Sequence, residues 1–404
     1  MKNQKNLLKM PALYAGLIMG GLAFSCQQHD ESPLATDTLE YIEYQNGIII
    51  PGKYIVTLHS SGLNLRKDLS YESAQTTMRK SSVAILSKYR IAEENLDFVY
   101  GSSIEGFSVE LSGVQLEALS KDPSVKLIEP DRVIALAPPN GKPGGWSTGQ
   151  SVPWGITRVG GGQTYAGSGV AYIIDSGIED AHPDLNVDSS LGFNSFTKGR
   201  DGDLLIDGNG HGTHVAGTVA AINNSIGVVG VAAGATVVPV KVLGTSGSGS
   251  YSGVIAGVDF VAANGKQGDV ANMSLGGPAS NALDAAVVAL GNKGIKVSLA
   301  AGNEDDDANN HSPARANGPN IYTVSAINSN DIFASFSNYG NPPVDFAAPG
   351  VSVLSTYKGG GYTTFSGTSM SAPHVCGILL TGKPRSGGTA IGDPDGNPDP
   401  IAIK

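Results

Sequence analysis

The alternation of apolar and polar positions divides the chain into two regions with different periods. The stretch Ile48-Ile-Ile-Pro-Gly-Lys-Tyr-Ile-Val-Thr-Leu58 is rich in β-branched and aromatic residues and predicts a strand. A helical pattern follows over 70–89. Gly106-Phe-Ser-Val-Glu-Leu111 alternates as a half-buried strand does, 113–122 predicts a second short helix, and 125–133 a closing strand. Together these predict a small α+β sandwich over 48–137. Beyond it the strands become continuous apolar runs, at 170–175, 236–242, 270–275, 295–300 and 321–325, separated by helical patterns at 211–222, 251–264 and 280–293. That order predicts an α/β fold, a largely parallel sheet with helices on both faces. Sites in such a fold lie beyond the carboxyl ends of the strands.

Composition marks the joints. Lys2, Lys5 and Lys9 precede an apolar run from about Met10 to Phe24, too short for a comfortable membrane span, and 1–26 reads as a targeting segment. Residues 27–47 read as a polar tether. Ala137-Pro-Pro-Asn-Gly-Lys-Pro-Gly-Gly-Trp146 is linker by composition, within a joint at 138–152, and 153–404 forms the body. A net charge of −10 without a basic patch excludes a nucleic-acid partner and fits an acidic extracellular protein. The 55 glycines follow no collagen-like period and read as loops. Cys26 and Cys376 are the two cysteines, so stability rests on the core and bound ions instead of a disulfide framework.

Three glycine-rich stretches carry chemistry. Phe365-Ser-Gly-Thr-Ser-Met-Ser-Ala-Pro-His-Val375 reads as a loop entering a helix, with Ser369 near the first turn, where unpaired N–H groups favour a developing anion. A serine nucleophile needs a base and an acid that orients it. His211, in Asp207-Gly-Asn-Gly-His-Gly-Thr-His-Val-Ala-Gly217, supplies the first. Asp175, ending Gly169-Val-Ala-Tyr-Ile-Ile-Asp175, supplies the second. Gly367-Thr-Ser-Met-Ser is not the Gly-x-Ser-x-Gly elbow of esterases. His214, three residues after His211, is either structural or a metal ligand, although no zincin glutamate follows. Cys376 is either a small core residue or a reactive thiol.

The order Asp175, His211, Ser369 resembles that of the subtilisin-like serine proteases. Within that family the proteinase K branch is similar over Gly247-Ser-Gly-Ser-Tyr-Ser-Gly-Val-Ile-Ala-Gly-Val-Asp-Phe-Val261, Ser335-Phe-Ser-Asn-Tyr-Gly340 and Ala347-Ala-Pro-Gly350. The resemblance implies a serine endopeptidase acting on polypeptides without a catalytic cofactor. It makes Asn303, in Ser298-Leu-Ala-Ala-Gly-Asn303, a donor to the oxyanion. It places Gly247, Ser248 and Gly249 on one side of an extended substrate and Ser274, Leu275 and Gly276 on the other. Ala300, Ala301 and Gly302 line an open pocket for large apolar side chains, which His311 and nearby acids can shift. The sandwich at 48–137, with its Phe-Ser-Val-Glu-Leu and Ile-Glu-Pro-Asp elements, resembles the inhibitory propeptide of the family, an intramolecular inhibitor. The maturation cut then falls in the linker before Pro153-Trp154-Gly155-Ile156.

The resemblance also implies structural Ca²⁺, held by the carbonyls of Pro319 and Ile321 and the carboxylate of Asp345; the alternative for Asp345 is a surface loop acid. Leu22-Ala-Phe-Ser-Cys26 resembles a lipobox, with lipidated Cys26 as the sole membrane attachment, against an ordinary signal peptide. The acidic runs 304–307 and 393–399 read as weaker ion-site candidates, the second as a solvated tail. Three departures stand out: Ser176 where threonine is commoner, a longer 186–206 segment, and an end 35 residues after Ser369, where a usual C-terminal helix is shortened or replaced.

Overall fold

The computed structural model describes residues 46–60, 69–136, 143–144, 149–202 and 205–404; the targeting segment with Cys26 and most of the linker lie outside them. The leader region folds as β1 (Ile49–Leu58), α1 (Tyr71–Lys88), β2 (Leu96–Tyr100), β3 (Gly106–Glu110), α2 (Gly113–Leu119) and β4 (Val125–Ala135). Ser70 caps α1, its hydroxyl accepting the Ser73 N–H at 3.3 Å. Ser112 and Gln115 form a capping box that starts α2. The strands pair antiparallel in the order β4-β1-β3-β2. Strand alternation gives the sheet two apolar faces. Val56 and Phe107 pack with Met78 and Leu86 of α1 in the leader's own core. Ile55, Tyr100 and Ile134 pack instead into the core of the body.

The body is built on β5 (Ala171–Asp175), α3 (His211–Ala220), β6 (Thr236–Lys241), β7 (Ser248–Ser250), α4 (Tyr251–Asn264), β8 (Val270–Met273), α5 (Asn281–Asn292), β9 (Lys296–Ala300) and β10 (Ile321–Ile327). It continues through β11 (Val344–Pro349), β12 (Val353–Tyr357), β13 (Gly361–Phe365), α6 (Thr368–Thr381), β14 (Arg385–Thr389) and β15 (Pro400–Ile403). The main sheet runs β14-β15-β11-β10-β9-β8-β5-β6, with Asn186–Val187 and Phe193–Asn194 both on the outer edge of β6. From β15 to β6 the pairs are parallel. Ile173 joins one core with residues of α3 and α6, while its neighbours Tyr172 and Ile174 join another with α4 and α5. Both faces of the sheet are thus covered.

Past residue 327 the sequence reading is incomplete. A strand (β11) and a hairpin (β12–β13) lie before Ser369, and the pair β14–β15 occupies the region after it, where a usual C-terminal helix is expected to be shortened or replaced. The reading of 393–399 as a solvated tail holds for the exposed residues 394–398 and is corrected at Asp399. Asp399 is fully buried, accepting hydrogen bonds from Ser325 Oγ at 2.5 Å and Asn341 Nδ2 at 3.1 Å. Burial, with the like charges of Asp393 and Asp395, pushes its pKa up to about 7. Asn46 and Gly47, assigned to the tether, contact β4, Gly47 through its backbone N–H and Asn46 through its side chain.

Candidate active site

Asp175 ends β5 fully buried, with its carboxylate 2.8 and 3.0 Å from His211 Nδ1. The Ser176 N–H also reaches it, at 2.7 Å. His211 is the first residue of α3, and what precedes it explains the glycines. Gly210 has φ +107°, and a Cβ there would lie 2.2 Å from the Tyr357 ring, so this cap position carries no side chain. Asp207 caps the helix instead, accepting the N–H groups of Asn209 (3.0 Å), Gly210 (2.7 Å) and Thr213 (2.8 Å), with the Thr213 hydroxyl at 2.7 Å. The Ser176 hydroxyl, at the position noted as a departure, donates to Asp207 at 2.8 Å and accepts the Gly212 N–H at 3.0 Å. Asp207 and Ser176 are positioning residues that the sequence reading passed over; an aspartate four residues before the helix's first residue was the available signal. Burial alone would lower the His211 pKa, but the charge and hydrogen bond of Asp175, with Asp207 behind, carry it above its ordinary value.

Ser369 stands in the first turn of α6. Pro373, four residues on, has no N–H to give the Ser369 carbonyl. That carbonyl accepts the Ser274 hydroxyl at 2.8 Å instead, and Asn272 Nδ2 steadies the same hydroxyl at 2.8 Å. The helix start is thereby tied to the loop after β8. Ser369 Oγ donates to the Ser274 carbonyl at 3.1 Å; among the described residues no hydrogen bond joins it to His211. Asn303 follows β9, and its Oδ1 accepts the Thr368 N–H at 2.8 Å and hydroxyl at 3.0 Å. This fixes which end of the carboxamide is spent on Thr368 and leaves Nδ2 available.

Beside Ser369 lies a cavity of about 220 Å³ lined in part by Leu275, Gly276, Ala300, Ala301, Gly302 and Asn303. Glu304 and His311 also reach it. His311 Nε2 is 3.0 Å from Asp306 and Nδ1 is 3.6 Å from Glu304, so the cavity has a charged, hydrogen-bonded flank beside its apolar wall. His214 lies in the core, its Nε2 at 3.1 Å from the Val353 carbonyl and 3.2 Å from that of Thr363. Burial, aided by the neighbouring His211, lowers its pKa to about 3. Cys376 is also buried, which pushes its thiol pKa up and keeps it protonated. Among the described residues no three His, Cys, Asp or Glu side chains converge as a metal site.

The leader lies against this cleft. β4 pairs antiparallel with β7, Ala135 opposite Ser248, Ile134 opposite Gly249 and Val133 opposite Ser250; the Leu136 N–H then reaches the Gly247 carbonyl at 3.0 Å. Ala135 and Leu136 thereby extend to the rim of the cavity. Two carboxylates of β4 cap helices of the body. Glu129 accepts the N–H groups of Asn281 and Ala282, each at 3.2 Å, and the Ser280 hydroxyl, at the start of α5. Asp131 accepts the Ser252 N–H at 3.1 Å and hydroxyl at 2.5 Å at the start of α4. In the reverse sense, Asp259 of α4 accepts N–H groups from Gly101 (3.2 Å), Ser102 (2.8 Å) and Ser103 (2.6 Å), together with the Ser103 hydroxyl and Gln75 Nε2.

The comparisons with known proteins agree with this geometry. Residues 53–137 match the peptidase inhibitor I9 family, and 168–383 match the subtilase family (Peptidase S8). The M-protease of Shouchella clausii is 41% identical over 340 residues, covering 83% of this chain and 82% of its own. The subtilisin-like serine protease AsES of Sarocladium strictum is 42% identical over 295 residues, covering 69% of this chain and 71% of its own. A cold-adapted subtilisin-like serine proteinase of known crystal structure superposes with a TM-score of 0.54 at 38% identity, over 62% of this chain and 97% of that one. A body that matches over more than half the chain, preceded by an I9 inhibitor domain, makes this protein a serine endopeptidase of the subtilase family, with its propeptide in place.

Proposed function

We propose that the chain is an exported zymogen that cuts its own leader and then cleaves polypeptides through Asp175, His211 and Ser369. The observation that carries the reading is the Asp175–His211 pair beside a cleft already filled by the leader's own strand. Ser369 attacks the scissile carbonyl while His211 takes its proton and later returns it to the leaving amine. Asp175 holds the Nδ1–H tautomer and stabilises the imidazolium. The Ser369 N–H and Asn303 Nδ2 receive the oxyanion. The Ser369 hydroxyl now spends its proton on the Ser274 carbonyl; an incoming substrate amide takes that carbonyl and releases the hydroxyl towards His211. Gly247, Ser248 and Gly249 bind one edge of the substrate, Ser274, Leu275 and Gly276 the other. Ala300, Ala301 and Gly302 take the side chain before the cut bond.

The calcium reading is supported by Asp345. It is half-buried, accepts one hydrogen bond, from the Thr323 N–H at 2.9 Å, and burial raises its pKa to about 6. A carboxylate so short of donors fits a cation held with the carbonyls of Pro319 and Ile321, which would brace β10 against β11. Chelation should then lower Tm, and Asp345→Asn should abolish that dependence. Export rests on 1–26 and lipidation on Cys26; intact mass of the membrane-bound and free protein distinguishes a lipidated Cys26 from simple signal removal.

The central test compares the wild-type chain with Ser369→Ala by intact mass after purification. Splitting between about residues 137 and 153 in the wild type alone supports the reading. Equal splitting of both, or of neither, removes autoprocessing from it.

A further inference from the structure

The leader strand in the cleft has two edges, and a second segment of the leader holds the one that β7 leaves open. On that edge the Val133 N–H donates to the Ile48 carbonyl at 2.8 Å, and the Gly47 N–H donates to the Val133 carbonyl at 2.9 Å. The Arg132 guanidinium fastens the Gly47 carbonyl at 2.8 Å. One residue earlier the side chain of Asn46 continues the ladder. Its Oδ1 accepts the Ala135 N–H at 3.1 Å, and its Nδ2 donates to the Gly276 carbonyl at 2.8 Å.

A carboxamide has the donor and acceptor of a peptide group, and here it stands between the tail strand and the wall of the cleft. Among the described residues, the hydrogen-bonded link from Ala135 to Gly276 runs through Asn46. The packing allows nothing bulkier. Gly47 has φ +85°, and a Cβ there would sit 2.5 Å from Pro278; a Cβ on Gly277 would sit 2.9 Å from Asn46 Oδ1.

We propose that Asn46, Gly47 and Ile48 form a second inhibitory element of the leader, in which the Asn46 carboxamide clamps the tail strand to the Gly276 wall and sets how long the cleaved leader blocks the site. This rests on the reading of Ser369 as the nucleophile that cuts the leader. After the cut the tail is held by β7 on one edge and by this clamp on the other, and substrate gains the Gly276 carbonyl only once Asn46 has left it.

The test uses the full chain as wild type, Asn46→Ala, Gly47→Ala and Asn95→Ala. The last removes a leader hydrogen bond to the Glu110 carbonyl, which the clamp does not use. Cleavage is followed by mass, and release of activity by hydrolysis of a chromogenic tetrapeptide anilide. Asn46→Ala loses two hydrogen bonds and should release activity roughly ten- to thirtyfold sooner after the cut. Gly47→Ala should change release in the same direction, and Asn95→Ala should keep the wild-type pace. Release of Asn46→Ala and Gly47→Ala at the wild-type pace, or equal acceleration by Asn95→Ala, overturns the clamp. A second measurement stands apart from catalysis. In uncut Ser369→Ala chains, adding Asn46→Ala should speed hydrogen exchange at the Ala135 amide at least fivefold. Unchanged exchange there overturns the clamp, whereas a wild type that never splits overturns only the reading of Ser369.

Discussion

Two carboxylates of the leader strand β4 face a different way from two buried in the body, Asp207 and Asp184. Glu129 and Asp131 of the leader reach out of it, to the first turns of α5 and α4. In the body Asp207 satisfies the loop and helix that carry His211, and Asp184 accepts the Val228 N–H at 3.0 Å and Asn224 Nδ2 at 2.8 Å. Apolar burial follows the same division: the leader has one small core of its own and lends Ile55, Tyr100 and Ile134 to the body, which has a core on each face of its sheet. A small unit with half its sheet face supplied by a neighbour depends on that neighbour for stability. The body has more of its own, and can keep its fold while a few polar groups are held ready for chemistry.

The strongest way to break that comparison is Asp175→Asn. If the polar interior of the body serves chemistry more than folding, turnover should fall about 10⁴-fold with Tm nearly unchanged; a collapse in Tm would make Asp175 a structural residue. Asn303→Ala should cost about 10²–10³ in kcat with a smaller change in KM. Across the interface, Asp259→Ala strands the donors of Gly101, Ser102 and Ser103 and should weaken inhibition by the cleaved leader about a hundredfold while sparing kcat. Glu129→Gln keeps an acceptor but loses the charge at the start of α5, and should weaken it by roughly fivefold.

Protonation sharpens the comparison within the body. His211, raised above its ordinary value, must be neutral to act as base, so the acid limb of kcat/KM should lie above about 6.5, the usual histidine value. His214 and His374 are lowered by burial to about 3 and about 4. Both stay neutral in the fold and charge readily once unfolded. Their contribution to stability is therefore present above about pH 6.5 and is lost as pH falls towards 4 and 3. Thermal melts across that window should show a gradual decline, reduced in His374→Gln.

What could be read from the sequence follows from where each signal resides. The α4 helix, Tyr251–Asn264, matches its predicted limits because apolar periodicity and the Ser250 cap are local. The carriers of Asp175, His211 and Ser369 were legible as a strand end and two glycine-rich helix starts. The β12–β13 hairpin was not, since Ser355, Thr356 and Thr363 are buried polar residues that break the apolar pattern. Ser355 and Thr356 are satisfied by the carbonyls of His214 and Thr213, each at 2.7 Å, a pairing visible only in three dimensions. Asn46 escaped for the same reason: its partners, Ala135 and Gly276, lie far along the chain.

The acceptor role of Asp259 bears on which leaders and bodies can be exchanged between relatives. Its carboxylate reads no side-chain shape beyond Ser103 and Gln75; it takes three successive backbone amides, which a foreign leader can present only if its loop turns at the same place. Compatibility between the two halves is thus written mainly in loop conformation. A chimaera sharing every contacting side chain but lengthened by one residue between β2 and β3 would be mismatched, while a more divergent leader of the right loop length would still dock.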